Sequence, residues 1–482
     1  MWTQINTRRL APQMAIAWNL GFGKPFQKHY GASITKTLQH YSGKSTGYYV
    51  DSEEYARFNK HLEHLLASDE FINSSYDGAK DFLEMAQNWS ERAFSGDLGA
   101  LPSQELAGLY NKFALEMQPS FYSRMWMVYR ISHPLEAAVE KKLLEATQNE
   151  AKALRLLKIF SSPLRPNNAQ EERMEALLIA SRKGKLRMDE YGALIKAHAE
   201  KYAYMPMYGI DHEPFSEAHF RDEIDGIREP RKEFTRAIAA FRRKKRAYDK
   251  ALLDLRPARG LANLLRFYSE MICLRDYRDT LRGKTNLNAR KMYTEIGRRA
   301  KLSIEETNLL TNEEIISFLR GGTAPGKAEI KKRKRGWLII QNWDKVGIYS
   351  GSKAGKIATK ELGTGRINGL DKLMGQTGSP GYAVGIARII HTNRDLGRIK
   401  KGDIMITSMT RQDYVHYLRR CAALVTDEGG ITSHAAVICR EMKIPCIVGT
   451  ELATNTFKNG DRLEVDANKG IAIRIGGKNN LR

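Results

Sequence analysis

The sequence predicts a multi-domain chain of α and α/β class: a large, mainly helical N-terminal domain followed by a smaller C-terminal α/β domain. Three observations carry this. From about residue 50 to 320, apolar residues recur at three- and four-residue intervals and proline and glycine are sparse, which is the signature of amphipathic helices. The grammar changes at GGTAPGK (321–327). Beyond it, the last hundred or so residues hold six short β-rich runs, two of which bracket a helical stretch as in a βαβ unit. With 482 residues, 42% hydrophobic and 28% charged, the chain is long enough for two or three domains.

Residues 1–325 form the helical part. LEAAVEKKLLEATQNEAKALRLLKIF keeps the helical period with few β-branched residues, and LLTNEEIISFL places Thr311 or Asn312 to cap a helix with acids in its first turn. No fixed-period repeat signals a solenoid. Residues 326–375 read as a β-hairpin and a Gly/Lys-rich linker. GWLIIQNWDKVGIYSG alternates apolar and polar residues around Asn342–Lys345, and SGSKAGKIATKELGTGRINGL has the composition of a hinge. Residues 376–482 carry YAVGIARII, DIMITSM, AALVTD, CIVGT, RLEVDA and IAIRI, with DANKG as a turn between the last two. AALVTD, SHAAVICREM and CIVGT make the βαβ unit, whose setting is a parallel sheet.

Composition narrows the function classes. No apolar run approaches the ~20 residues of a membrane span, and MWTQINTRRLAPQ lacks the apolar core of a signal peptide, so a cytoplasmic location is expected. Four cysteines make no disulfide framework or zinc knuckle and are expected as buried or free thiols. The net charge of +23 favours anionic partners, but Lys and Arg interleave with acids along most helices. KKRKR at 331–335 reads first as a solvated helix end, and only second as a nucleic-acid patch. GGTAPGKA (321–328) fails as a P-loop, because Ala328 stands where a metal-binding hydroxyl belongs and the preceding EEIISFLR is helical. GFGKPF (21–26) fails the dinucleotide fingerprint after its second glycine.

The stretch TDEGGITSHAA (426–436) carries the chemistry. A strand stops near Thr426, and Gly429 and Gly430 allow a backbone path that side chains would block. Thr432 or Ser433 can cap the helix that starts at His434. The imidazole is thereby set beside unpaired amide N–H groups and the positive end of a helix, where a phosphate is stabilised. Histidine can also attack an electrophile and hold a covalent intermediate.

TDEGGITSHAAVICREMKIPCIVGT resembles the phosphohistidine segment of the phosphoenolpyruvate (PEP)-utilising enzymes, a family that includes phosphoenolpyruvate synthase, pyruvate phosphate dikinase and rifampin phosphotransferase. The likeness runs from GSPGYAVGIARII (378–390) to NGDRLEVDANKGIAIRI. It implies a swivelling β/β/α domain whose histidine takes a phosphoryl group at one site and delivers it at another. His434 would be the carrier, Thr432 and Ser433 would orient it or bind phosphate, and Gly429 and Gly430 would shape the loop. Arg440 and Glu441 match family helix positions and read equally well as a surface ion pair. The family's ATP-grasp domain has no counterpart in residues 1–320. The resemblance therefore implies a separate ATP-grasp-type subunit, Mg²⁺ accompanying ATP or PEP, no bound organic cofactor and no metal ligands of the chain's own.

The helical part is similar to the helical region joined to the carrier in rifampin phosphotransferase-like proteins, where helices border the acceptor site. Two stretches qualify there. His198 and Tyr202 lie one turn apart on a helix that should end before Pro206, and Arg275, Arg278 and Arg282 share roughly one helical face. Aromatic core packing and a solvated basic face are the competing readings. The leading expectation is a phosphotransferase component. The alternatives are a non-catalytic, phosphorylation-responsive binding protein and, on charge alone, a nucleic-acid-binding protein.

Overall fold

The opening stretch of the chain contributes three strands to a part expected to be mainly helical: β1 (Trp2–Arg8), β2 (Lys36–Tyr41) and β3 (Thr46–Asp51). The computed structural model describes residues 1–8, 11–43, 46–343, 345–362, 372–391, 393–410, 414–430, 433–450 and 453–475. The hairpin expected around Asn342–Lys345 is present as β4 (Trp337–Asn342) and β5 (Lys345–Ser350). It does not belong to a connecting segment, however. β4 pairs antiparallel with β2, Leu38 opposite Ile340 and Gln39 opposite Ile339, and completes a five-stranded sheet in the order β1-β3-β2-β4-β5.

The glycine- and lysine-rich stretch after it, read as part of a linker, is helical over Gly351–Leu362. Its apolar residues Ala354, Ile357, Ala358 and Leu362 fall on one face and pack against Leu38 and Leu338. Burial on that face outweighs the helix-weakening glycines, and Gly355 meets nothing within 4 Å.

Between β3 and β4 runs the helical body. Three of its long helices, Asp69–Ala93, Gln118–Thr147 and Arg259–Ala300, share a core that includes Leu83, Met127, Val128, Ile131, Leu274 and Leu281. Thr311, not Asn312, caps Asn312–Leu319: its hydroxyl accepts from Glu314 N–H while the Glu314 carboxylate accepts from Thr311 N–H. Among the described residues no helix is long and apolar enough to cross a membrane.

The C-terminal sheet has eight strands: β6 (Lys372–Met374), β7 (Gln376–Ser379), β8 (Tyr382–Ile390), β9 (Ile404–Thr407), β10 (Ala423–Thr426), β11 (Cys446–Val448), β12 (Arg462–Asp466) and β13 (Ile471–Arg474). Their order is β6-β13-β12-β8-β9-β10-β11-β7. β8, β9, β10 and β11 run parallel, which bears out the βαβ reading. β6 and β7 are consecutive in the chain yet stand at the two ends of this order, so segment 372–379 closes the sheet on itself. One buried cluster, including Ala387, Ile404, Ile406, Val425, Leu463 and Val465, fills its interior. A second, including Met405, Leu424, Ala436, Cys439 and Val448, packs it against the helix His434–Met442. Among the described residues, no buried cluster mixes residues up to 362 with residues from 372 onward.

Closure rests on a tight turn. Gly470 has φ +67°, and a Cβ there would stand 2.1 Å from the Gly375 carbonyl oxygen between β6 and β7. Gly470→Ala is expected to cost at least about 2 kcal/mol, from the left-handed backbone and the clash together. Urea unfolding of the variant checks this, and an unchanged midpoint would show that the ring relaxes freely.

Candidate functional site

The site lies where the parallel strand β10 ends, the edge of an α/β sheet at which ligands bind. Backbone bonds fix the exit: Asp427 N–H donates to Thr407 O at 3.1 Å, Glu428 N–H to Ser408 O at 2.9 Å, and Thr450 N–H to Thr426 O at 3.0 Å. Gly429 then turns with φ +105°, where an added Cβ would lie 2.8 Å from Ser433 Cβ. The strand can fold back over the helix start only with glycine there. Gly430 O accepts from Ser433 N–H at 2.9 Å.

Ser433 is the cap. It has extended backbone (φ −61°, ψ 155°), and its hydroxyl accepts from Ala436 N–H at 3.3 Å. His434 is therefore the first residue of the helix, among the amide groups that lack an intrahelical partner. Thr432 and the side chain of His434 lie outside the described part of the molecule. Ala435, Ala436 and Cys439 are buried toward the sheet. Gly429→Val is expected to destabilise this loop by about 1–3 kcal/mol, measurable as faster amide exchange over 428–436. Unchanged exchange would mean that the loop tolerates a different path.

Asp427 sits beneath the loop. Its carboxylate accepts from Thr454 N–H at 2.9 Å and from Thr454 Oγ1 at 2.5 Å. Burial pushes the carboxyl up to about 7, against the pull of the two donors. The folded state thus binds this proton more tightly than the unfolded chain. The associated stability is full below about pH 4 and is lost as pH rises toward 7. Urea midpoints across that window should fall with pH in the native chain and flatten in Asp427→Asn. An equal slope in both would place the titration elsewhere.

The far end of the same helix meets the helical body. Lys443 adopts φ +56°, and Ile444 N–H returns to Cys439 O at 2.9 Å to end the helix. Glu441 forms an ion pair with Lys244 of the helix Pro230–Leu255. Arg440 lies near Tyr268 and Glu136, and burial holds its guanidinium below the usual arginine range. Nothing local in the sequence marks Lys244, because its partner is 197 positions away.

The structure brings Gly429, Gly430, Ser433 and the His434 backbone into one loop. It places the other candidate residues in the helical body. His198 is fully buried, with Nε2 2.9 Å from Glu172 Oε1 and Nδ1 3.4 Å from Glu175 Oε1. Tyr202 O–H donates to Glu175 at 3.2 Å, and burial raises its phenol. Arg278 donates to Met125 O at 2.7 Å, and burial lowers its guanidinium. Arg282 lies 4.2 Å above the Tyr208 ring and 3.2 Å from Asp279. Arg275 O accepts from Arg278 Nε–H. Arg278 and Arg282 thus pack within the body rather than presenting an open basic face. All four cysteines are free thiols, and Cys421, Cys439 and Cys446 are buried.

The parallel strands of this mixed sheet thus end in a glycine turn and a capped helix start, an arrangement whose free N–H groups can stabilise an anion. Residues 399–470 match the family described as PEP-utilising enzyme, mobile domain. Over these residues the chain is similar to that mobile-domain family. The chain is 38% identical over 133 residues to a probable phosphoenolpyruvate synthase of Archaeoglobus fulgidus, covering 28% of this chain and 17% of that one. It is 34% identical over 177 residues to a probable phosphoenolpyruvate synthase of Pyrococcus abyssi, covering 35% and 21%. It is 44% identical over 102 residues to the phosphoenolpyruvate synthase of Pyrococcus furiosus, covering 21% and 12%. The chain therefore spans about a fifth or less of the length of these relatives. A solved structure of Thermococcus kodakaraensis aconitase X matches 22% of this chain at 17% identity with a TM-score of 0.18, too low to bear on the fold.

Proposed function

We propose that this chain is a phosphotransferase component in which His434 carries a phosphoryl group from a nucleotide or PEP site to an acceptor. The observation that supports this best is the position of His434 as the first helical residue after the Gly429–Gly430 turn, within the segment that matches the mobile-domain family. An imidazole nitrogen attacks phosphorus, an N–P bond forms, and the P–O bond to the leaving group breaks. In the second step an acceptor oxygen attacks the same phosphorus, the N–P bond breaks, and the acceptor's proton is given up. Unpaired helix N–H groups suit the travelling charge at either stage, and positioning rather than covalent assistance supplies most of the rate.

The donor site belongs, on this reading, to a separate ATP-grasp-type chain, and residues 1–325 form the acceptor-side domain. Mg²⁺ supplies charge neutralisation on the donor's phosphates. Among the described residues no group of three or more His, Cys, Asp or Glu could hold a metal ion.

The test is peptide mass analysis of the protein from its native host, kept at neutral to alkaline pH because phosphohistidine is acid-labile. A phosphoryl group on the peptide containing His434 is the expected result. Its absence, even after exposure to ATP or PEP with host lysate, would overturn the proposal.

A further inference from the structure

A groove of about 520 Å³ runs between the helices Glu150–Phe160 and Pro230–Leu255, beside the Lys244–Glu441 ion pair. Its volume falls in the range of small-molecule sites. The groove is cationic: Arg155 and Lys158 from one helix and Lys244 from the other line it, and the Glu441 carboxylate stands against Lys244. The rest of the lining is mainly apolar, from Ala151, Leu154, Ile159 and Ala247, with the Ser162 side chain beside them.

Arg155 and Lys158 stand three residues apart on one helical face, an arrangement in which like charges repel. Neither has a side-chain hydrogen-bond or ion partner among the described residues. The third cation is held by an anion borrowed from the C-terminal domain, the Glu441 carboxylate. Three positive charges lining one groove suit a dianion better than a carboxylate, and the apolar lining suits an organic body better than water. We propose that this groove binds an organic phosphate monoester, whose phosphate takes Lys244 in place of Glu441.

Glu441 then occupies the site as an internal stand-in, and the ligand and the C-terminal helix compete for one ammonium group. By linkage, a ligand that binds more tightly when Glu441 is absent must also loosen the contact that Glu441 makes. The inference does not depend on phosphoryl carriage by His434. It is tested without any transfer reaction, so either can fail alone.

The experiment is calorimetric titration of the full chain with phenyl phosphate, alongside benzoate, inorganic phosphate and a single-stranded oligonucleotide. Phenyl phosphate is expected to bind more tightly than benzoate or inorganic phosphate. Arg155→Ala with Lys158→Ala should weaken it at least tenfold; both side chains are exposed, and circular dichroism verifies the fold. Glu441→Gln should tighten it several-fold, because the competing carboxylate is gone. Absence of phenyl phosphate binding at millimolar concentration would overturn the proposal. So would equal affinity in the double variant, or no gain in Glu441→Gln. Oligonucleotide binding lost in the double variant, with no phenyl phosphate binding, would overturn it in favour of a polyanion surface.

Discussion

His434→Ala is expected to leave a folded protein that carries no phosphoryl group. Alanine is the residue best suited to a helix, and the Ser433 hydroxyl that caps the helix is untouched. The change in unfolding free energy should therefore stay within about 0.5 kcal/mol. Transfer is another matter, because removing the nucleophile of a covalent mechanism costs on the order of 10⁶ in rate. In an assay with ATP or PEP and host lysate, the label on the 434 peptide should fall to background. Ser433→Ala separates the roles: it removes a cap and should cost about 1 kcal/mol, while leaving the nucleophile in place. Label retained in His434→Ala would sink the carrier assignment, whatever the fold.

The second large effect is one of stability, in the helical body. His198 and Glu172 are 0% and 2% exposed, and each supplies the other's closest polar contact. His198→Leu would leave the buried Glu172 side chain without that hydrogen-bond partner, a loss of about 1–3 kcal/mol. Replacing both, His198→Leu with Glu172→Leu, should recover much of it, since an apolar pair of similar volume avoids the desolvation cost. Urea unfolding of the three variants gives the comparison directly. A single-variant loss below about 1 kcal/mol would show that the pair contributes little. If His198 served an acceptor instead, its removal would lower transfer while stability held.

Local pattern made the C-terminal half legible. The strand–helix–strand run through AALVTD, SHAAVICREM and CIVGT is short-range, and its parallel pairing follows from the crossover. The turn at DANKG is equally local: the Asp466 carboxylate accepts from Asn468 and Lys469 N–H. Ser433 and Thr432 were equivalent cap candidates from sequence, and the backbone geometry of Ser433 identifies it as a cap. What pattern could not show is pairing across long separations. β2 and β4 are each ordinary strands, and nothing in either names the other. The Gly351–Leu362 helix was obscured by glycines, although Ala354, Ile357 and Ala358 already held helical spacing. Arg278 and Arg282 do share a helical neighbourhood, but spacing alone cannot tell an open face from one packed against Met125 and Tyr208.

The pairing of β2 with β4 also bears on how the chain is made. Leu38 and Gln39 meet their partners only when residues 339 and 340 exist, so a ribosome must deliver the whole helical body first. Until then, the β2–β3 hairpin presents an open edge, and unpaired strand edges template association with other chains. Helices built from local contacts can form as they emerge, which draws the ends of the insertion together before the last hairpin arrives. Slow codons or a stall between residues 42 and 336 would prolong that exposed interval, and a chaperone that shields strand edges would be needed most there.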